Sequence, residues 1–282
     1  MVEKLISVKG LQKYYTETTG GFFKKNYRIK AVDGVDFDIF RGETFGLLGE
    51  SGCGKSTTAQ LLAQLLAPTA GEIRYRGEDI SKLSGRKQKQ LKKHIQIVFQ
   101  DPYASLNPKK KIAWLLEEPL VINKVLSNKA ERQRAVAEML QTVGLDESFG
   151  EYYPHQLSGG QRQRVSIAIA LMLRPEFIIA DEPVSALDVS VQAQILNLLQ
   201  KLQAEFKLTY FFISHDLNVV GYMSDRIGVM YLGRMVEIGS TQDIFNQPVH
   251  PYTRTLFATL PILGGNKPVK SVLPGDGSDF LN

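Results

Sequence analysis

A glycine-rich stretch that carries one lysine and several hydroxyl groups has the composition of a phosphate-binding loop. Residues 49–57 read GESGCGKST and fit the pattern GxxxxGK[ST] without a mismatch. Glycines let successive backbone N–H groups turn inward around a phosphate, and Lys55 supplies a mobile ammonium for the outer phosphates. We call this stretch the phosphate loop. Its predicted ligand-binding residues are Gly49, Ser51, Gly52, Cys53, Gly54, Lys55, Ser56 and Thr57.

Two carboxylates follow an apolar run further along the chain. Residues 177–183 read FIIADEP, which is typical of a buried strand with acids at its end. In proteins with a phosphate loop, such a strand places a carboxylate near Mg²⁺. We predict that Asp181 holds the metal through water and that Glu182 polarises the attacking water, with the hydroxyl of Ser56 as a further metal ligand.

A second anion site is indicated at residues 158–161, where a serine and two glycines begin a helix. Gln100 and His215 each come directly after a predicted strand or close to its end. Because the carboxyl ends of parallel strands meet at one edge of a sheet, we expect both side chains at that edge. Tyr15 could stack on an adenine ring or pack on the core, and the residues alone leave both possibilities open.

The elements that must position these groups can be recognised by periodicity. Residues 44–48 form a short apolar strand before the phosphate loop, and leucines between 56 and 66 have helical spacing. Alternation at 3–8 and 35–40 predicts antiparallel strands, and 227–238 predicts a hairpin. Residues 16–30 are expected to form an exposed loop or a hairpin insertion. Residues 103–156 contain no strand pattern, and Asn128 with Glu131 is a candidate capping pair for an amphipathic helix.

The whole-chain properties limit the classes of protein to which the chain can belong. Its 282 residues are 43% hydrophobic and 22% charged, as in soluble globular proteins. No apolar run approaches the ~18 residues needed to span a bilayer, and no secretory signal begins at Met1, so we expect a cytosolic location. The single cysteine, Cys53, excludes an internal disulfide framework and a cysteine-rich metal site. The net charge of +5 does not choose among nucleotide, nucleic acid and membrane ligands.

The ordered motifs resemble the ATPase subunit of an ABC transporter. They are GESGCGKST (49–57), Gln100, LSGGQRQR (157–164), FIIADEP (177–183), SALD (185–188) and His215. Within that family, QDPYASLNPKK (100–110) and HPYTRTLFATLP (250–261) resemble the oligopeptide, dipeptide and nickel importer branch, in particular its second ATPase subunit. The resemblance implies an α/β fold: a P-loop NTPase (RecA-like) core with an antiparallel β subdomain and an inserted helical subdomain.

The resemblance also implies a domain organisation. We expect a nucleotide-binding core with its antiparallel β subdomain at residues 1–100 and 162–249, and a helical signature subdomain at 101–161 that contacts the membrane subunits. Residues 250–282 would form a C-terminal extension with the HPYT motif.

Site roles follow from the same resemblance, in which two ATPase subunits enclose two ATP molecules head to tail. Lys55 and the loop amides bind phosphates, while Ser56, Gln100 and water-bridged Asp181 surround Mg²⁺. Glu182 is the general base and His215 contacts the γ-phosphate. The partner's ATP is reached by Ser158, Gly159, Gly160 and Gln161. Asp188 couples the two sites, and Tyr15 is the candidate for adenine stacking.

The expected assembly has three kinds of partner and lies peripherally on the cytoplasmic face of the membrane. The partners are a second ABC ATPase subunit (giving a heterodimer or a homodimer), two transmembrane permease subunits and an extracellular substrate-binding protein. No nucleic-acid partner is expected. The expected activity is ATP hydrolysis coupled to uptake of oligopeptides or dipeptides. Import of nickel or metallophore complexes, a soluble ABC ATPase acting on nucleic acid, and an inactive regulatory paralogue are the alternatives.

Overall fold

The antiparallel strands predicted at residues 3–8 and 35–40 are present, and they are the outer ends of one longer antiparallel hairpin. The computed structural model describes residues 3–19 and 25–258. The strands are β1 (Lys4–Thr19), β2 (Lys25–Phe40), β3 (Thr44–Leu48), β4 (Ala70–Tyr75), β5 (Glu78–Asp79), β6 (Ile95–Val98), β7 (Phe177–Asp181), β8 (Thr209–Ile213), β9 (Arg226–Tyr231) and β10 (Arg234–Ser240). The helices are α1 (Lys55–Leu62), α2 (Gly85–His94), α3 (Pro102–Ser105), α4 (Ile112–Asn123), α5 (Lys129–Thr142), α6 (Gly159–Leu171), α7 (Val189–Phe206), α8 (Leu217–Met223), α9 (Thr241–Asn246) and α10 (Pro251–Ala258).

The chain divides into two units, Met1–Leu83 with Ile213–Asn282, and Ser84–Phe212. In the first unit, β1 pairs antiparallel with β2 and with β4, in the order β2-β1-β4-β5. The pairing of β1 with β2 extends to Thr19 opposite Lys25, so the described parts of 16–30 are hairpin arms rather than loop. Residues 20–24 lie outside the described residues.

The first unit also contains the strand that leads into the phosphate loop. β3 is fully buried and runs parallel to β9, which pairs antiparallel with β10. Apolar side chains from β3, β9 and the helices α8, α9 and α10 form one cluster: Leu48, Leu217, Val220, Ile227, Val229, Ile244 and Tyr252. Burial of such side chains contributes about 1.5–3 kcal/mol each relative to exposure. The strand that leads into the loop is therefore anchored in the core.

In the second unit, the strands are ordered β8-β7-β6, and β6 runs parallel to β7. Between Gln100 and Glu176 every regular element is a helix, including the short 3-10 helices Glu147–Glu151 and Pro154–Gln156. The Asn128 side chain accepts a hydrogen bond from the Ala130 N–H, which confirms it as the cap of α5. Across residues 3–19 and 25–258, no helix has both the length and the apolar character that a bilayer span requires.

Candidate functional site

The phosphate loop leads from β3 into α1, and the start of that helix is suited to an anion. Gly54 is the N-cap residue, no side chain caps the helix, and its first turn contains no acidic residue. The first N–H groups of a helix lack intrahelical acceptors, and the aligned peptide dipoles place partial positive charge there. A phosphate group would bring negative charge to this end of the helix, where the first turn contains no acidic residue.

Two of the loop glycines are required by close backbone contacts. Gly49 has φ 155° and a Cβ there would lie 2.2 Å from the Met230 carbonyl oxygen. Gly54 has φ 109° and its Cβ would lie 2.1 Å from the carbonyl oxygen of Ala31. Both distances are far below a van der Waals contact, so any other residue would displace the backbone. Gly52, at φ 83°, faces open space, which leaves room beside the loop.

The ammonium of Lys55 lies against the backbone of the loop. Nζ donates to the carbonyl oxygens of Gly49 and Glu50 at 2.7 and 2.8 Å, and the residue is only 5% exposed. Lys55 thus spans the loop from its helical end to its first residues. Ser51 and Ser56 are exposed and Thr57 is half-buried.

The only cysteine of the chain lies inside this loop and is buried. Burial raises the pKa of the Cys53 thiol, although the nearby Lys55 ammonium opposes the effect. The thiol is therefore neutral at physiological pH and a poor nucleophile.

Segments distant in sequence support the loop. The N–H of Gly233, in the turn between β9 and β10, donates to the Cys53 carbonyl oxygen at 3.0 Å. The hydroxyl of Tyr252, on α10, accepts from the Glu50 N–H at 3.2 Å. Tyr252 belongs to the HPYT motif that is visible in the sequence, but spacing alone gives no indication that it contacts the loop.

The two adjacent tyrosines of β1 have different environments. Tyr14 donates to the Asp33 carboxylate and lies under the guanidinium of Arg28, which is 4.3 Å from its ring centroid. Tyr15 is 37% exposed, with the Lys13 ammonium 5.4 Å from its ring centroid. The Tyr15 ring is thus the one accessible to a ligand.

His215 is exposed in the turn that begins α8. Its neighbours fix that turn: the Asp216 N–H donates to Ser214 Oγ at 3.0 Å, and Asp216 Oδ1 caps the helix by accepting from Asn218 N at 2.8 Å. The imidazole is therefore carried on a capped, well-defined turn.

In the second unit, the predicted groups at the ends of β6 and β7 come together. Val98 is paired with Ala180 in parallel register, which brings Gln100 and Glu182 to the same edge of the sheet. Gln100 Nε2 donates to Glu182 Oε2 at 3.1 Å and to Ser185 Oγ at 3.3 Å. The Ser185 hydroxyl donates in turn to the Glu182 carbonyl oxygen at 3.1 Å.

The two acids at the end of β7 occupy different environments. Asp181 is buried at 8% exposure, whereas Glu182 is half-buried and has φ 48°, a left-handed conformation that is unusual for glutamate. Such conformations persist where the surroundings impose them, often at functional sites. Within the described residues, no three His, Cys, Asp or Glu side chains converge as a ready metal cage. Mg²⁺ typically uses one or two carboxylates with waters and substrate phosphates, so a sparse ligand set fits it.

The signature segment, residues 157–161, begins α6 with a reciprocal capping box. Ser158 Oγ accepts from the Gln161 N–H at 3.3 Å, and Gln161 Oε1 accepts from the Ser158 N–H at 2.8 Å. A Cβ on Gly159 would lie 3.2 Å from Leu187 Cδ2, and one on Gly160 would lie 2.5 Å from Val191 Cγ1. The segment is therefore packed against residues 187–191 of its own unit. Asp188, at the N-cap position of α7, is exposed, and its carboxylate makes no capping hydrogen bond.

Comparison with known proteins supports the interpretation of these motifs as those of an ABC ATPase. A family profile described as "ABC transporter" matches residues 32–185, and one described as "Oligopeptide/dipeptide transporter, C-terminal region" matches residues 236–280. The oligopeptide transport ATP-binding protein AppF of Bacillus subtilis is 50% identical over 97% of this chain and 84% of its own length. The dipeptide transport ATP-binding protein DppF of Haemophilus influenzae is 52% identical over 93% of this chain and 80% of its own.

Solved structures show the same fold. The ATP-binding cassette of a post-hydrolysis dimer bound to ADP and Pi is similar with a TM-score of 0.73 and 32% identity, over 84% of this chain and 98% of that chain. The cbiO1 protein of Clostridium perfringens, part of an ABC transporter complex, gives a TM-score of 0.74 at 30% identity, over 87% of this chain and 92% of its own. These similarities confirm the predicted α/β fold with a P-loop NTPase core, and the chain belongs to the ABC transporter ATPases.

Proposed function

We propose that this ABC ATPase binds ATP with Mg²⁺ and couples its hydrolysis to the uptake of oligopeptides or dipeptides. The observation that carries the peptide assignment is the identity of 50–52% to ATP-binding proteins named for oligopeptide and dipeptide transport, extending over more than nine-tenths of the chain. The match of residues 236–280 to an oligopeptide/dipeptide transporter C-terminal region supports the same assignment.

We assign phosphate binding to the phosphate loop of the first unit. The uncapped start of α1 offers backbone N–H groups, and Lys55 offers its ammonium to the outer phosphates. The Lys55 ammonium has three donor hydrogens, so it can donate to a phosphate oxygen while the two loop carbonyls continue to hold it in place. The exposed ring of Tyr15 is assigned to the adenine.

We assign metal binding and water activation to the groups around the end of β7, with the Ser56 hydroxyl as a further metal ligand. Asp181 would hold Mg²⁺ through water, and Gln100 would supply its amide oxygen. When bound, Mg²⁺ neutralises charge on the transferring phosphoryl group. Glu182 would accept a proton from the attacking water, and His215 would contact the γ-phosphate. The hydrogen bond from Gln100 to Glu182 orients this carboxylate.

The substitution Glu182→Gln tests the base assignment. A glutamine keeps an oxygen that can accept from Gln100 Nε2, but it cannot take a proton from water. We expect turnover to fall roughly 10²- to 10⁴-fold while ATP binding is retained. ATPase rate and ATP affinity should be measured on the same preparation, with Glu138→Gln on the exposed face of α5 as the matched control. Turnover in Glu182→Gln close to that of the Glu138→Gln control would contradict the assignment.

We further propose that a second ATPase subunit, identical or different, completes each ATP site. Ser158, Gly159, Gly160 and Gln161 would reach the partner's ATP, and Asp188 would couple the two sites. Ser158 and Asp188 are exposed, each at the N-cap position of a helix, which agrees with such an intermolecular role. The test is the dependence of specific ATPase activity on protein concentration, which should rise as dimers form. Fast turnover that does not change on dilution would count against a shared site.

The remaining partners follow from the proposed transport role: two transmembrane permease subunits, an extracellular substrate-binding protein, and a position on the cytoplasmic face of the membrane. Copurification with permease subunits and peptide-stimulated ATPase activity in the reconstituted complex would support this role. Stimulation of the ATPase activity by nickel or metallophore complexes instead of peptides would identify those complexes as the cargo. Salt-sensitive binding to DNA or rRNA would favour a soluble ATPase acting on nucleic acid.

A further inference from the structure

The C-terminal helix α10 reaches the phosphate loop through one side chain. Tyr252 is 2% exposed, and its ring centroid lies 4.1 Å from that of Tyr231. Its hydroxyl accepts a hydrogen bond from the Glu50 N–H. Burial raises the pKa of Tyr252 to about 12, so the hydroxyl is protonated at neutral pH and acts on the loop as a neutral group.

The Glu50 N–H belongs to the same peptide unit as the Gly49 carbonyl oxygen, and a trans peptide is planar with its N–H and C=O pointing in opposite directions. The Lys55 ammonium donates to that Gly49 oxygen at 2.7 Å. The Tyr252 hydroxyl and the Lys55 ammonium therefore hold opposite ends of one rigid plane. Rotation of this plane would remove both hydrogen bonds together.

We propose that Tyr252 is a positioning residue for nucleotide binding, because its hydroxyl sets the orientation of the Gly49–Glu50 peptide and thereby the position of the Lys55 ammonium. Tyr252 does not touch the phosphates; it acts through the loop backbone. This inference rests on the phosphate-binding role proposed for Lys55, and it assigns a local purpose to the tyrosine of the HPYT motif.

The segment that carries Tyr252 is itself anchored. The Glu237 carboxylate, on β10, accepts from the N–H groups of Val249 and His250 at 2.8 and 3.0 Å. The Tyr252 N–H donates to His250 Nδ1 at 3.2 Å, so the histidine of the motif fixes the start of α10. Because these contacts anchor the helix, the Tyr252 hydroxyl has a defined position and can orient the loop backbone. A hydroxyl on an unanchored helix would shift together with the loop.

The substitution Tyr252→Phe removes the hydroxyl and keeps the ring in the apolar cluster. Loss of this one hydrogen bond should raise the dissociation constants of ATP and ADP roughly 3- to 10-fold, and the KM for ATP likewise, with little change in kcat at saturating ATP. The matched control is Tyr210→Phe, because Tyr210 is fully buried and its hydroxyl donates to the Leu199 carbonyl oxygen at 3.1 Å, in the second unit. It should lose thermal stability without losing nucleotide affinity.

Two measurements test the conformation of the phosphate loop in the absence of nucleotide. The single, buried Cys53 reports loop opening, so alkylation by iodoacetamide should be several-fold faster in Tyr252→Phe than in the wild type or Tyr210→Phe. Hydrogen exchange in the wild type should show protection of the Glu50 amide. If Tyr252→Phe changes only the melting temperature, with unchanged affinity and alkylation rate, or if the Glu50 amide exchanges freely, the inference is overturned. Failure of the wild type to bind ATP would instead overturn the proposed role of the loop.

Discussion

The substitution Gly160→Ala separates packing from helix propensity in the signature segment. Alanine normally stabilises a helix interior relative to glycine by up to about 1 kcal/mol. At Gly160, however, the new methyl would lie 2.5 Å from Val191 Cγ1. Valine in a helix has one strongly preferred χ1 rotamer, so Val191 has little freedom to move away. Overpacking of this kind costs about 1–3 kcal/mol.

The packing cost exceeds the gain in propensity, which is reduced further because Gly160 lies in the first turn. We expect Gly160→Ala to lower the free energy of unfolding by about 1–2 kcal/mol, or the melting temperature by roughly 2–4 °C. Gly159→Ala is the internal control, since its methyl would lie 3.2 Å from Leu187 Cδ2, the end of a flexible side chain. This control should be nearly neutral.

Thermal unfolding of four variants tests this reasoning: Gly159→Ala, Gly160→Ala, Val191→Ala and the double variant Gly160→Ala/Val191→Ala. Because Val191→Ala removes the atom with which the new methyl would clash, the double variant should be more stable than the sum of the single changes, with a coupling energy of about 0.5–3 kcal/mol. Equal effects at Gly159 and Gly160, or strict additivity with Val191→Ala, would refute the packing argument.

Two further predictions concern the first unit. Hydrogen bonds from the Tyr14 hydroxyl and, to a smaller extent, from the Arg234 guanidinium hold the pKa of Asp33 below its usual range. The ionised carboxylate therefore stabilises the folded protein above about pH 4, and this contribution is lost as the pH falls through the lowered pKa. Asp33→Asn should therefore lower the melting temperature at pH 7, and the melting temperature of this variant should decrease less steeply between about pH 5 and 3. Melting curves recorded over this pH range test the prediction, and a variant that keeps the wild-type slope would contradict it. Cys53→Ser should bind ATP with a dissociation constant within about threefold of the wild-type value, because Cys53 contributes to the phosphate loop through its backbone. Loss of ATP binding in a titration would show that the thiol itself is needed.

The sequence predicts local features well where chemistry and periodicity agree. The buried strands before the phosphate loop and before Asp181, the hairpin β9–β10 and the cap at Asn128 are confirmed. The leucine spacing after the loop is misleading, however. It predicts a helix up to residue 66, but α1 ends at Leu62 because Gln64 adopts φ 55° and Leu65 turns out to 48% exposure. Periodicity alone does not reveal that Gln64 takes a left-handed conformation after the helix.

Contacts between distant segments are the part that the sequence could not provide. Spacing cannot decide whether Tyr14 or Tyr15 faces the ligand, because the answer depends on Asp33 from another strand. In the same way, the Met230 carbonyl oxygen leaves no room for a side chain at Gly49, and the Tyr252 hydroxyl accepts a hydrogen bond from the Glu50 amide. Both partners come from segments that are distant along the chain. Such long-range pairs follow from the fold as a whole.

Three motif glycines of this chain are constrained by the packing of the protein itself, whether or not a ligand is bound. Gly49 and Gly54 meet carbonyl oxygens of neighbouring backbone, and Gly160 meets Val191, in the protein alone. Loss of ATPase activity in a glycine variant would therefore not show that the residue touches ATP, since the same change also strains the fold. Substitutions that keep the backbone and the side-chain volume, such as Glu182→Gln and Tyr252→Phe, change a proton acceptor or a hydrogen bond without that strain. Variants of this second kind are the ones whose kinetics can be assigned to the site.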